Sequence, residues 1–353
     1  MIYQIIILLS ILVLFVKNKK SKLVLGYSLI LLMAFVGAFR NIDIGTDTGT
    51  WYYSNWFFTT FELKTWNHFT PFEPGFNILM ALSKYIINSY EFFYCVIFLT
   101  TIAFICISAK KIRVSIIYVF SFFFLTYCFA QSLNIVRQMF GLSIGCFLIA
   151  EFYNKKISFV IFELSICFLC YLIHHSLLIL GLFPIFVYFD FNKYCSEKIL
   201  ILLLVLMQVL SLFFLPLLTS YLLGFTGVLD DRSNHYIEII DEYGASSEVG
   251  WITSFVSNFV LVLLSKHNRN CFFYFAFLGT LLSILLSSFG AIGRISINLS
   301  FFSIMYLAFI WDKIKCNSYY LLLKIIYISS CVYILYGSLI NNKEYNPYST
   351  MFF

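Results

Sequence analysis

Charge is the scarcest thing in this chain. Asp, Glu, Lys and Arg make up 11% of its 353 residues, where an ordinary globular domain carries about 25%. So few charges cannot clothe a water-soluble surface, and a soluble globular fold is excluded. Proline is scarce too, with 5 residues, while Phe (43) and Tyr (25) are heavily used and mean hydropathy is +0.90. No polar stretch exceeds about 40 residues, so no separate soluble domain is expected and 1–353 reads as a single membrane domain. Apolar runs long enough to span roughly 30 Å of hydrocarbon recur from end to end.

Other absences narrow the function. The N-terminal run MIYQIIILLSILVLFV has no basic residue before it and no small-x-small site after it. Lys17, Lys19, Lys20 and Lys22 follow instead, so the run reads as a retained helix with its N-terminus outside. Ten cysteines are spread through the chain, nearly all in apolar runs, and Cys167 and Cys170 lack the second pair that a metal site would need. Packing is their expected role; no structural disulfide, metal or cofactor is expected. The net charge of +6 follows the membrane topology and does not point to nucleic acid. Glu163 and Lys324 fall inside apolar runs near one face, where snorkelling or mutual pairing accounts for them; a proton relay needs more members at midplane.

Apolar runs place helices near 2–16, 23–39, 91–109, 114–131, 135–152, 157–173, 176–189, 198–218, 251–265, 271–289, 296–311 and 319–340. The segment 75–88, with Lys84 inside it, is short for a span and reads as a re-entrant or interfacial helix. With it left out, the loops at 17–22, 110–113, 154–156, 190–198, 266–270 and 312–318 share one side and hold 15 of the 23 Lys and Arg. The positive-inside rule then favours an all-α protein of about twelve spans, with both termini outside. Residues 40–90 form an outer-face loop with the short helix, and 219–250 form a second, larger one.

Polar chemistry collects on the outer side. The inward basic residues are 13 Lys and two Arg, whereas the outward ones are three Lys and four Arg. Lysine suffices for orientation; arginine suits planar, multidentate recognition of phosphate or carboxylate. Four of the five histidines also fall outside.

Four outer clusters stand out. Arg40 precedes a GTDT turn, Gly45 to Thr48, and the aromatics Trp51, Tyr52 and Tyr53. The turn's side chains can cap backbone amides, and its spacing does not make a calcium loop; the aromatics either stack on sugar rings or mark the interfacial belt. In FEPGF, Phe72 to Phe76, Glu73 either caps the following helix or holds an arginine. In NIVRQMFG, Arg137 and Gln138 sit at the mouth of a span, where an arginine needs a partner, and His174, His175 and Ser176 turn back at the same height. Last, GAIGRISIN puts Arg294 at an outer helix end, and the loop 219–250 adds Arg232 and His235, either as part of a lid or as a variable connection.

Taken in order, these clusters resemble the EpsG/Wzy family of bacterial polysaccharide polymerases. The family's pattern is an Arg before a GTDT turn and a Tyr (Arg40, Gly45 to Thr48, Tyr52 or Tyr53), a Glu-Pro-Gly-Phe-like turn (Glu73 to Phe76) and an Arg-Gln pair (Arg137, Gln138). A His-x-Ser (His174, Ser176) and a late outer Arg (Arg294) complete it. The resemblance spans roughly residues 36 to 300. It departs where Met139 and Phe140 precede Gly141, and where His175 doubles the histidine; the loop 219–250 carries no family pattern.

The resemblance implies a glycosyltransferase in the bacterial cytoplasmic membrane, its site facing the periplasm or outside. Such enzymes join oligosaccharide repeat units carried on undecaprenyl pyrophosphate for O-antigen, capsule or exopolysaccharide, without metal. Arg137 and Arg294 would face the pyrophosphate, with Arg40 in support, and His174 is the natural base for the acceptor hydroxyl. Asp47, Thr48, Tyr52, Tyr53, Glu73, Gln138, His175, Arg232 and His235 are the further substrate-binding candidates. A chain-length regulator and a flippase of the same pathway are the expected protein partners. The rival readings are an O-antigen ligase and a lipid-linked oligosaccharide flippase, the latter disfavoured by the absence of internal repeats and of midplane charges.

Overall fold

A computed structural model describes residues 2–45, 47–48, 52–59, 72–224, 248–286, 290–314, 317–340, 345 and 348, and only the backbone of 212–224, 248–251 and 290–293. Thr46, Trp51, Arg232 and His235 lie outside the described residues. The described chain is helical, with no strand among the described residues. It divides into two compact units. The first comprises Met1–Gly181, Leu307–Trp311 and Leu335–Phe353; the second comprises Leu182–Tyr306 and Asp312–Ile334.

The first unit begins with α1 (Ile2–Phe15) and α2 (Lys19–Ala38). Asn18 starts α2 by accepting hydrogen bonds from the N–H groups of Lys20 (2.9 Å) and Ser21 (3.2 Å), which would otherwise be orphaned at a helix N-terminus. Next come α3 (Tyr53–Phe58), which the apolar pattern did not reveal, and α4 (Pro74–Ile86), the short helix it did. Pro74 suits the first turn of α4 because its missing N–H has no intrahelical partner there. One face of α4 buries Phe76, Asn77, Met80 and Ala81, and the other exposes Ile78, Leu82, Tyr85 and Ile86. Lys84 reaches back to the carbonyls of Trp56 and Phe57, at 3.0 Å each, and ties α4 to the end of α3.

Ser89 caps α5 (Tyr90–Lys111) through the N–H of Phe92. The expected single helix over 114–131 is broken into α6 (Ile116–Leu125) and α7 (Cys128–Asn134), bent by 70°. Between them Tyr127 takes the left-handed conformation (φ 67°), which no helix can continue through. A second break at Ile135 separates α7 from α8 (Val136–Tyr153). Then α9 (Phe159–Leu172) leads into a 3-10 helix, His175–Leu182. The core of this unit is aromatic, with Phe120, Phe122, Phe123, Phe124 and Phe129 all buried. The Trp311 indole donates to the Leu14 carbonyl at 3.0 Å from within it.

The second unit holds α10 (Phe183–Tyr188), α11 (Glu197–Gly224), α12 (Glu248–Leu264), α13 (Cys271–Leu285), α14 (Gly290–Ser300), the first half of α15 (Ser303–Ile310) and nearly all of α16 (Ser318–Leu335). Phe183, Phe272, Phe275 and Phe302 form its buried aromatic centre. Among the described residues, three helices are long and apolar enough to cross a membrane: Lys19–Ala38, Tyr90–Lys111 and Ser318–Ile340. The bent pair α6–α7 makes a fourth if it is one broken span. Shorter apolar helices occupy most of the other expected positions.

Candidate functional site

The breaks around α7 create the site. A helix end leaves backbone carbonyls without intrahelical partners. At the end of α7 the Leu133 carbonyl accepts from Arg40 Nη2 (2.7 Å) and from the Thr48 hydroxyl (3.0 Å). Asn134 Oδ1 accepts from the Asp47 N–H at 2.8 Å. The Thr48 hydroxyl also lies 2.7 Å from the Tyr94 hydroxyl, and Tyr90 donates to the Thr48 carbonyl at 3.0 Å. Arg40 is 3% exposed, with its guanidinium 4.1 Å above the Tyr94 ring. Gly45 allows this docking: its φ is +93°, and a Cβ there would stand 2.6 Å from the Leu133 carbonyl oxygen. Arg40 and the turn residues 45, 47 and 48 therefore bracket the α7–α8 break and set where α8 begins.

Arg137 stands in the first turn of α8. Its guanidinium lies 4.7 Å from the Phe72 ring centre and forms an ion pair with Glu73. Phe72 is stacked in turn on Tyr52, with ring centres 5.2 Å apart. Burial pushes the Tyr52 phenol above its ordinary range; the Arg137 charge and a hydrogen bond with the Arg137 backbone pull the other way. Tyr53 packs edge-on against Phe57 and Tyr90, away from this stack.

Glu73 joins three chain segments. Although it occupies the N-cap position of α4, its side chain makes no cap hydrogen bond. One carboxylate oxygen pairs with Arg137, and the other accepts from the His175 N–H at 3.2 Å. Of the two roles open for Glu73 in the sequence, holding an arginine is the one its geometry displays. The carboxylate and the guanidinium are both largely buried, at 6% and 17% exposure. Gly75 brings α4 in close enough for this, since a Cβ there would meet the Leu172 carbonyl oxygen at 2.7 Å.

At the end of α9, His174 is half-buried, and its Nδ1 lies 2.7 Å from the Ser176 hydroxyl and accepts from the Ser176 N–H at 3.2 Å. The His175 ring is turned outward, 77% exposed, with Nε2 3.9 Å from Glu73. The 3-10 helix after it lies close on α8, because a Cβ on Gly141 or Gly145 would fall 2.4 Å from Leu177 or Leu180. Those two glycines are the small residues of α8 that face the returning chain.

Phe72, Glu73, Pro74, Arg137, Tyr171, His174 and His175 line one cleft of about 530 Å³. It lies wholly within the first unit. Of the residues singled out in the sequence, it gathers Glu73, Arg137, His174 and His175, with Tyr52 behind Phe72. Arg40, Asp47 and Thr48 lie in the supporting layer around Leu133, and Gln138 is buried on α8. Arg294 is an exposed residue of α14, in the second unit. Tyr171 was not anticipated. It lies one helical turn before His174, and that i, i+3 spacing was the available signal. Tyr94, the hydroxyl between Arg40 and Thr48, was missed as well, because it reads as one more aromatic in an apolar span.

Among the described residues no cluster of His, Cys, Asp and Glu is arranged to hold a metal ion. What the cleft offers is one fixed cation, one carboxylate, two imidazoles and aromatic faces, a set suited to an anionic, sugar-bearing ligand. The profile of the EpsG family matches residues 23–350 of the chain. No curated protein and no solved structure matches it.

Proposed function

The chain belongs to the EpsG family, the family of Wzy/EpsG polysaccharide polymerases, and from that premise we propose that it joins lipid-linked oligosaccharide repeat units at the outer face of the cytoplasmic membrane. The units are carried on undecaprenyl pyrophosphate. The growing chain leaves its carrier, and a hydroxyl of the incoming unit takes the anomeric carbon. The observation that carries this reading is Arg137, held against Phe72 and Glu73 at the edge of a cleft of about 530 Å³ that also holds His174. Small-molecule sites commonly enclose about 300–1,000 Å³, so the cleft has room for a sugar with its phosphate.

In this reading Arg137 faces the pyrophosphate. Negative charge that develops on the leaving group is met by fixed donors instead of a metal. Arg40 supports the reaction indirectly, by holding the α7–α8 break that positions Arg137. The membrane arrangement that goes with it has about twelve crossings and both termini outside, with α4 lying at the interface on its exposed face of Ile78, Leu82, Tyr85 and Ile86. A flippase supplying the units and a regulator of chain length are the partners such a reaction calls for.

The test is the surface-polysaccharide gel profile of a deletion strain complemented with wild type or Arg137→Ala. Compared at matched protein amounts, wild type is expected to restore a ladder and Arg137→Ala only a band of acceptor plus one repeat unit. A full ladder from Arg137→Ala would overturn the assignment of Arg137. Loss of every repeat unit in the deletion strain would point to a flippase or ligase.

A further inference from the structure

The proton of His174 has a definite place in this fold. Two groups of Ser176 converge on its Nδ1, the backbone N–H at 3.2 Å and the hydroxyl at 2.7 Å. A backbone N–H can only donate, so Nδ1 is an acceptor, and the single proton of a neutral imidazole then sits on Nε2. The arrangement is local and sturdy. His174 stands between the end of α9 and the 3-10 helix, its ring nitrogen taking the place of a capping oxygen, while its carbonyl accepts from the Leu177 N–H at 3.1 Å. This gives the His-x-Ser spacing a physical meaning, because the residue two along supplies the N–H that orients the ring.

The surroundings say what such a ring is for. The charge of Arg137 is already balanced by Glu73, so the pair presents little net positive charge to an arriving anion. The His175 ring has no such anchor: its backbone N–H is bound to Glu73, and the ring stands 77% exposed at the rim of the cleft. His174 is itself one of the residues that line the cleft.

We propose that His174 acts as a fixed Nε2–H donor to the departing pyrophosphate and not as the base that removes the acceptor's proton. The inference rests on the polymerase reading. In the step, the bond from the anomeric carbon to the pyrophosphate oxygen breaks, and its electron pair leaves with the pyrophosphate. The acceptor oxygen forms the new bond to that carbon, and its proton passes to a non-bridging oxygen of the released pyrophosphate. The imidazole keeps its own proton throughout and hydrogen-bonds the oxygen on which charge grows.

Two measurements test this, one independent of turnover. The first is the 15N spectrum of the full-length protein in nanodiscs with labelled histidine, the His174 signals being those lost in His174→Gln. Protonated Nε2 with unprotonated Nδ1 is expected in wild type and in Ser176→Ala, which keeps the backbone N–H; a protonated Nδ1 would overturn the proposal. The second is polymerisation by purified protein. Glutamine carries an N–H near the Nε2 position but cannot act as a base, so His174→Gln should stay within about tenfold of wild type, whereas His174→Ala should lose about 100- to 1,000-fold in kcat, as when an oxyanion donor is removed. A His174→Gln protein that elutes like wild type yet is as inactive as His174→Ala would refute the donor role. Failure of wild type itself to polymerise lipid-linked units would count against the polymerase reading, and the spectrum would still decide the tautomer.

Discussion

Glu73 and Arg137 illustrate how a buried ion pair places demands on single residues. Each charge is largely removed from water, and each keeps the other's desolvation from going uncompensated. Replacing one partner alone strands the other, at a cost of about 3–5 kcal/mol. Glu73→Ala should therefore lower the thermal unfolding temperature of the detergent-solubilised protein, whereas Glu73→Gln combined with Arg137→Gln should recover most of the loss and still make no polymer. Equal unfolding temperatures for Glu73→Ala and wild type would mean that water reaches the pair. Tyr52 plays a quieter part. Burial keeps its phenol protonated, so it serves as a neutral neighbour of Arg137 with no titration of its own in the working range.

At the scale of elements, the α7–α8 break controls the site. Leu133 lies in the last turn of α7, its carbonyl satisfied from 93 residues away by Arg40, and the Arg40 guanidinium stands 4.1 Å from the Tyr94 ring centre. Arg40 is thus a capping arginine, at the helix end where a cation is favoured by the backbone dipole. Gly45→Ala would force a left-handed conformation on a residue with a Cβ and press it onto the Leu133 carbonyl. Its expected cost is about 1–3 kcal/mol. Gly45→Ala and Arg40→Met should both reduce the amount of folded protein on size-exclusion chromatography, whereas Arg137→Ala reduces polymer more than it reduces protein. The opposite ranking, with Arg40→Met fully folded and inactive, would return Arg40 to the substrate.

For the whole molecule the prediction concerns which ends of the helices face out. In a version freed of its ten cysteines, Asn88→Cys should react with a membrane-impermeant maleimide on intact cells, and Lys156→Cys only after the membrane is opened. Labelling in the reverse order would turn the topology over and put the cleft on the cytoplasmic side. What the sequence by itself determined is the helical class, the positions of most apolar helices, the short helix expected at 75–88 and found at 74–86, and the family. Hydropathy and motif order are properties of contiguous residues, so they survive without a fold. The sequence could not show that α6–α7 would bend at Tyr127, because a left-handed residue leaves no trace in an apolar run. It likewise could not show that Arg40 and the turn after it would spend their polar groups on Leu133 and Asn134. Only the tertiary structure decided that Glu73 meets Arg137 across 64 residues, and that the nitrogen of His174 facing Ser176 is an acceptor. Pairing and protonation depend on which segments are brought within about 3 Å of one another, and no spacing along the chain encodes that distance.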